Sequence, residues 1–324
     1  MEYIAEIGNN HNGDIVLAKN MVDAAIGSGA DYVKFQIYNV DKFVEKNSIY
    51  FDDFSREALT SDEFFELKNY TEQQGGTFLA TPFDNDSANL LSEMGIHTVK
   101  IASGDMNNWQ LLRVIAKKGN RLLVSIGGAS EEEVSETVGF LKSSGAEFAI
   151  LHCIIEYPAN ITNLYLSQIP LLRCRYDCRV GYSDHSLGIE ASLGAIALGA
   201  EIIEKHFTTD QRLPGGDNGM SILPMELERL VREGNNINLA IGEGRKVLGL
   251  DEKKMKSLIR REIFAGREIQ RGSNLVDDDL LLLRPSAPGD GLGPDNYDRL
   301  LGCRVKCDIA TGQLITLDLL DNGD

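Results

Sequence analysis

The sequence predicts an α/β chain: a (β/α)8 TIM barrel followed by a small, mainly β domain. Three observations carry that prediction. Eight short β-branched or apolar runs recur between residues 3 and 206, helix-period segments separate most of them, and beyond residue 258 the pattern changes to short strand-like runs broken by turns. Alternating strand and helix implies parallel strands, and eight such units within about 210 residues suit a closed barrel.

In chain order the runs are Tyr3 to Glu6, Tyr32 to Gln36, Thr77 to Thr81, Thr98 to Ile101, Leu122 to Ser125, Phe148 to His152, Val180 to Asp184 and Ile202 to His206. Between them, Ile15 to Ile26, Ser61 to Gln74, Ser87 to Met94, Glu131 to Leu141 and Ile189 to Leu198 carry apolar residues at helical spacing, with Gly or Asn near many ends. A doubly wound open sheet is the alternative, but no Gly-rich dinucleotide fingerprint follows the first run. Past the eighth run, Pro224 to Ile241 reads as a longer helix, and the charged, Gly-punctuated stretch GEGRKVLGLDEKKMKS reads as a linker. The expected division is a barrel over 1–245, a linker over 246–257 and a second domain over 258–324.

Composition narrows the function. With 324 residues and 43% hydrophobic content the chain has material for a sizeable core, and 32 Lys plus Arg against 49 Asp plus Glu give a formal charge of -17. That acidic excess repels nucleic-acid backbones and anionic lipid surfaces, and no basic run offers a local exception. A small anionic substrate stays open. The amino terminus lacks a basic n-region and a long apolar core, so the expected location is the cytoplasm. Five cysteines in C-x-x-x-C spacings match neither a zinc knuckle nor a redox pair and are expected to be free thiols.

In parallel barrels the chemistry collects at the carboxyl ends of the strands. Here nearly every such end carries a polar residue: Glu6 and then Asn9, Asn10 and His11; Lys34 and Gln36; Thr81; Lys100, then Ser103 and Asp105; Ser125; His152; Ser183 to His185; Glu204 to His206. Side chains alternate within a strand, so some of these face the helix layer, with Gln36, Glu204 and Lys205 the ones to watch. Lys34 and Lys100, with the hydroxyls of Thr81, Ser103, Ser125 and Ser183, make a dispersed clamp for phosphate and carboxylate. The alternative is structural pairing of each lysine with a carboxylate. His185 and His206 end neighbouring strands and can converge on one divalent ion in an open site; two hydrogen-bonded neutral histidines are the plainer reading. His97 reads as structural, and His152 fits either role.

Strings of this sequence resemble the N-acetylneuraminate (sialic acid) synthase family of nonulosonic acid synthases over essentially the whole chain. They are EIGNNHNGD at Glu6 to Asp14, GADYVKFQ at Gly29 to Gln36, ATPFD at Ala80 to Asp84, VKIASGD at Val99 to Asp105, LHC at Leu151 to Cys153, GYSDHSLGIE at Gly181 to Glu190, IEKHFT at Ile203 to Thr208 and LPGGD at Leu213 to Asp217. Residues 258–324 are similar to that family's antifreeze-like (SAF) domain, including LLRPSAPGDGL around Arg284. The resemblance implies metal-dependent condensation of phosphoenolpyruvate with an unphosphorylated N-acylated hexosamine, giving a nine-carbon 3-deoxy-2-keto acid and phosphate. By motif position it implies Lys34, Thr81, Lys100, Ser103, Ser125 and Ser183 for phosphoenolpyruvate, with Lys34 and Lys100 also catalytic. It implies His185 and His206 for manganese or magnesium, and Glu6 and Asp105 for proton transfer. Gln36, Tyr157 and Asp217 would contact the sugar, with Arg284 reaching across a domain-swapped homodimer.

Three departures from the family pattern stand out. Ile155 replaces a polar residue two positions before Tyr157, Asp105 stands where several members have Glu, and the segment from Tyr38 to Thr60 is short, its acceptor-contacting Asn unplaced. Two other activities stay open: condensation with a phosphorylated aldose, against which stands the lack of an extra Arg/Lys cluster near the acceptor strings, and sugar binding by a catalytically degenerate paralogue.

Overall fold

The computed structural model describes residues 1–242, 244–287 and 289–321. All eight runs are strands: β1 (Glu2–Gly8), β2 (Tyr32–Ile37), β3 (Thr77–Pro82), β4 (Thr98–Ile101), β5 (Arg121–Ser125), β6 (Phe148–Cys153), β7 (Arg179–Asp184) and β8 (Ile202–His206). They pair in parallel in the order β3-β2-β1-β8-β7-β6-β5-β4, and β3 and β4, the two ends of that ladder, lie side by side to nearly close a barrel. The open-sheet alternative is thereby excluded.

Alternation within the strands builds the interior in layers. Ile4, Leu79, Leu123, Ala149, Leu151 and Ile202 form a small apolar cluster separate from the main core. Two residues further along the same strands, on the same inward face, stand Glu6, Thr81, Ser125, Cys153 and Glu204. Gly181 lets β7 run tight against β8, since a Cβ there would lie 2.7 Å from the Ile202 carbonyl oxygen. The intervening residues, such as Val33, Phe35, Val99 and Val124, point outward into the main core beneath the helices. At the amino ends, Arg121 and Arg179 both reach Glu2 (2.9 and 2.6 Å), tying three strands together.

The helices are α1 (Ile15–Gly27), α2 (Val40–Phe43), α3 (Phe51–Glu57), α4 (Ser61–Gln73), α5 (Asn85–Glu93), α6 (Trp109–Ala116), α7 (Glu131–Ser144), α8 (Gln168–Tyr176), α9 (Glu190–Ala197) and α10 (Pro224–Ile241). Local chemistry starts several of them. The Asp14 carboxylate accepts from the Val16 and Leu17 amides, and Thr60 with Glu63 and Ser130 with Glu133 form capping boxes. Helices α2 and α3 fall in the first part of the β2–β3 connection, Tyr38 to Thr60, for which the sequence predicts no helix. They are held by an aromatic group in which Phe43 lies 5.0 Å from Phe54 and 4.4 Å from Phe83, ring centre to ring centre, with Tyr38 beside all three.

The chain divides into two compact units, Met1–Glu243 and Gly244–Asp324. In the second, helix α11 (Leu250–Ile259) occupies most of the stretch read as a linker. Lys, Glu and Met are good helix formers, and the punctuating glycines all precede the helix. Strand β9 (Glu262–Ala265) pairs antiparallel with β10 (Leu280–Leu283), and isolated bridges add the remaining sheet contacts around a core that includes Ile263, Ile269, Val305, Ile309 and Ile315. A single helical turn, α12 (Tyr297–Leu300), completes this unit. Among the described residues no helix is long and apolar enough to cross a membrane.

Candidate active site

A cavity of about 730 Å³ opens at the carboxyl ends of the barrel strands. Its floor is a buried charge cluster. Lys34 on β2 places Nζ 3.1 Å from Glu6 Oε2 and 3.4 Å from Glu204 Oε2, and donates to Thr81 Oγ1 at 3.2 Å. Lys100 on β4 lies 3.8 Å from Glu204 Oε1 and donates to the Ile101 carbonyl at 2.8 Å. The Ser183 hydroxyl donates to Glu204 at 2.9 Å, and Gln36 donates to Glu6 at 3.2 Å. Ser125 Oγ is buried against the cavity with no hydrogen-bond partner, a donor left for whatever fills the space.

Burial and pairing set the charge states. Burial works against ionising Glu204, but Lys100, Lys34 and the Ser183 hydroxyl outweigh it and hold the carboxyl below the ordinary range. Burial opposes the Lys34 charge too, and Glu204 and Glu6 more than restore it. Lys100 goes the other way: burial, helped by the Lys34 charge, lowers its pKa despite Glu204. An anion bound between the two ammonium groups would relieve that deficit.

Beyond the lysines stand the histidines. His185, just past β7, donates from Nδ1 to the Ile154 carbonyl at 2.7 Å, so that nitrogen carries the proton and Nε2 is left as a ligand atom. Its ring centre lies 5.4 Å from that of His206, whose buried Nδ1 has no hydrogen-bond partner and sits 3.6 Å from Asp217 Oδ2. Burial and then His206 push the His185 pKa down to about 4, so its imidazole is neutral near pH 7, the form that binds a metal. Among the described residues no group of three His, Cys, Asp or Glu side chains forms a metal cage. The two imidazoles therefore fit a divalent ion only in an open site, with water or substrate completing its shell. Tyr157 stacks on His185 at 4.2 Å.

Of the residues expected at the site, the barrel brings to this cavity Glu6, Lys34, Gln36, Thr81, Lys100 and Ser103, and from the later strands Ser125, Tyr157, Ser183, His185, His206 and Asp217. Asp105 is not in the wall. Its carboxylate accepts from Asn108 at 2.9 Å within the turn that leads to α6, so it serves that turn. Arg284 is exposed in the second unit. His152 faces outward, bonded to the Leu164 carbonyl, and Lys205 pairs behind the strand with Asp184 at 3.0 Å. Ile155 stays outside the cavity and covers the glycine pair after β5, where a Cβ on Gly128 would meet its Cδ1 at 2.5 Å.

Sequence reasoning missed two parts of the wall. Glu204 was left open between the two faces, although His206, two residues on, shares its parity. The other part is α3 with its preceding turn, which supplies Tyr50, Asp53, Phe54, Arg56 and Glu57. No periodic signal marks so short a helix.

Comparison with known proteins bears on this geometry. The NeuB family model matches residues 21–246, and the SAF domain model matches residues 260–321. The chain belongs to the NeuB family. Among its relatives, the N,N'-diacetyllegionaminic acid synthase of Campylobacter jejuni is 35% identical over 92% of this chain and 94% of its own length. The human N-acetylneuraminate-9-phosphate synthase is 31% identical over 98% of this chain and 92% of its own. A crystal structure of the N-acetylneuraminic acid (sialic acid) synthetase of Leptospira borgpetersenii in complex with citrate superposes with a TM-score of 0.76 at 39% identity, covering 78% of this chain and 89% of that one.

Proposed function

We propose that this NeuB-family protein condenses phosphoenolpyruvate with an unphosphorylated N-acylated hexosamine, releasing phosphate and a nine-carbon 3-deoxy-2-keto acid of the nonulosonic type. One observation carries the reading: Lys34 and Lys100 are buried on either side of Glu204 in a hydroxyl-lined cavity. Two ammonium groups there meet two carboxylates, Glu6 and Glu204, so a multiply charged anion needs further positive charge to be held. A divalent cation, manganese or magnesium, held by His185 and His206, supplies that charge and polarises the sugar carbonyl when bound.

The side chains divide the remaining work. Lys34, Lys100, Thr81, Ser103, Ser125 and Ser183 hold the phosphate and carboxylate of phosphoenolpyruvate. Gln36, Tyr157 and Asp217 orient the acceptor. Attack of the enol C3 on the sugar carbonyl carbon leaves positive charge at C2, and the ionised Glu204 stabilises it from the floor of the cavity. Water then adds at C2. Glu6, fixed by Gln36 and Lys34, takes a proton from that water and passes it to the sugar oxygen that becomes the new hydroxyl, in place of the pair with Asp105 expected from sequence. The resulting tetrahedral carbon expels phosphate by C–O cleavage, with the lysines stabilising the leaving group, and the water's second proton leaves with the phosphate as C2 becomes the ketone.

The acceptor side supports an unphosphorylated sugar over a phosphorylated aldose. Asp53, Glu57 and Asp217 face it, and Arg56, whose guanidinium is the one lining it among the described residues, is already paired to Asp53 at 2.8 Å. The working unit in this reading is a cytoplasmic, domain-swapped homodimer in which Arg284 of the partner subunit completes the sugar site; the free state of all five cysteines is compatible with a reducing compartment. The test is incubation with phosphoenolpyruvate, manganese and a panel of N-acylated hexosamines, measuring free phosphate and keto acid. Equal yields of both with at least one acceptor are expected. No turnover with any acceptor, despite phosphoenolpyruvate binding in calorimetry, would overturn the reading in favour of a binding protein.

A further inference from the structure

Helix α3 presents a charge arrangement that the condensation chemistry does not use. Arg56 and Glu57 end the helix and Asp53 lies one turn back, all three at the cavity. The guanidinium is held by Asp53 at 2.8 Å and approaches Glu57 Oε1 at 3.5 Å. Glu57 is 9% exposed and near enough to Asp217 for the two carboxyls to repel. Asp217 in turn lies 3.6 Å from His206, so the arrangement runs without a break from the histidine pair to the cavity rim.

The helix is also fixed in place. Gly13, in the left-handed region at φ 76°, packs so closely on it that a Cβ would lie 2.3 Å from the Arg56 carbonyl oxygen, and Phe54 is wedged into the aromatic group on the other side. The helix backbone therefore stands at the cavity in a set position, with Glu57 buried and the exposed Arg56–Asp53 pair at the rim.

Resting on the function proposed above, we infer that Asp53 and Glu57 determine acceptor specificity by occupying Arg56. A guanidinium at the rim is the natural partner of a phosphate on the acceptor's far end. With both carboxylates engaging it, the wall instead presents net negative charge, which repels a phosphorylated sugar and leaves carboxylate oxygens to accept hydrogen bonds from a neutral polyol. Discrimination between an N-acylated hexosamine and its phosphate ester thus lies in a charge pairing on α3.

The experiment compares the intact protein with D53N/E57Q and D53N/E57Q/R56A, each assayed with phosphoenolpyruvate, manganese, N-acylated hexosamines and their 6-phosphates. In the double variant the ratio of kcat/KM for phosphorylated over unphosphorylated acceptor should rise by about tenfold or more, the worth of one charge-assisted hydrogen bond. The triple variant should lose that gain, and the KM for phosphoenolpyruvate should stay constant, showing an intact donor site. An unchanged ratio in the double variant, or a gain retained without Arg56, would overturn the inference and leave the proposed reaction standing. A wild-type protein that turns over no acceptor would overturn the reaction itself.

Discussion

At the scale of single residues, the centre of the site is Glu204. Side-chain alternation alone assigns its face once His206 is taken to point inward, yet the adjacent Lys205 in the same string obscured the parity. Its distances from both lysines make it the group that balances them. Glu204→Gln should lower kcat by about 100-fold or more while the protein still binds phosphoenolpyruvate, measured by steady-state kinetics beside calorimetry. The same substitution has a pH signature. Because the folded Glu204 titrates below its ordinary value of 4.5, its ionised form contributes stability that is complete above that pH and lost as pH falls through the folded pKa. Thermal melts between neutral and acidic pH should therefore show a shallower acid decline for Glu204→Gln than for the wild type. The placement of the lysines, the hydroxyls and both histidines around one cavity was legible at this scale, because it follows from strand-end position. Asp105 was not, since only the turn after β4 reveals that its carboxylate serves Asn108.

Among the elements, the strands and long helices follow from period and capping, and their ends agree with the sequence reading to within about three residues. The exceptions are the short helices α2, α3, α6 and α8, which the sequence reading does not name, and the charged α11. Helices α2 and α3 are anchored by Tyr38, Phe43, Phe54 and Phe83, contacts between distant parts of the chain that no local pattern announces. Helix α11 is rich in charge, which reads as solvent-exposed linker as readily as helix. The position of α3 depends on the close approach of Gly13. Gly13→Ala should displace it, raising the KM for the acceptor by roughly tenfold while that for phosphoenolpyruvate stays constant. A change confined to the donor constant would contradict the assignment of α3 to the acceptor side.

For the whole molecule, the barrel was legible because eight repeats leave few alternatives, and the second unit because the rhythm changes. In the proposed reading the sugar contact assigned to Arg284 comes from the partner subunit. If the second unit serves the partner's barrel, two inactive variants should complement: mixed subunits of Glu204→Gln and Arg284→Ala regain activity, because one barrel then has both groups. Activity that stays at the level of the separate variants would place Arg284 at its own chain's barrel or outside the site.

The formal charge of -17 sums the whole chain, while on the cavity floor Lys34 and Lys100 stand around Glu204 beside a space for an anion. The central claim is that this space holds phosphoenolpyruvate while its C2–O bond breaks. Phosphoenolpyruvate carrying oxygen-18 in the bridging position, turned over with an N-acylated hexosamine and manganese, tests it directly by mass spectrometry of both products. The account predicts the label in the released phosphate and solvent oxygen at C2 of the keto acid; label retained in the organic product would contradict it.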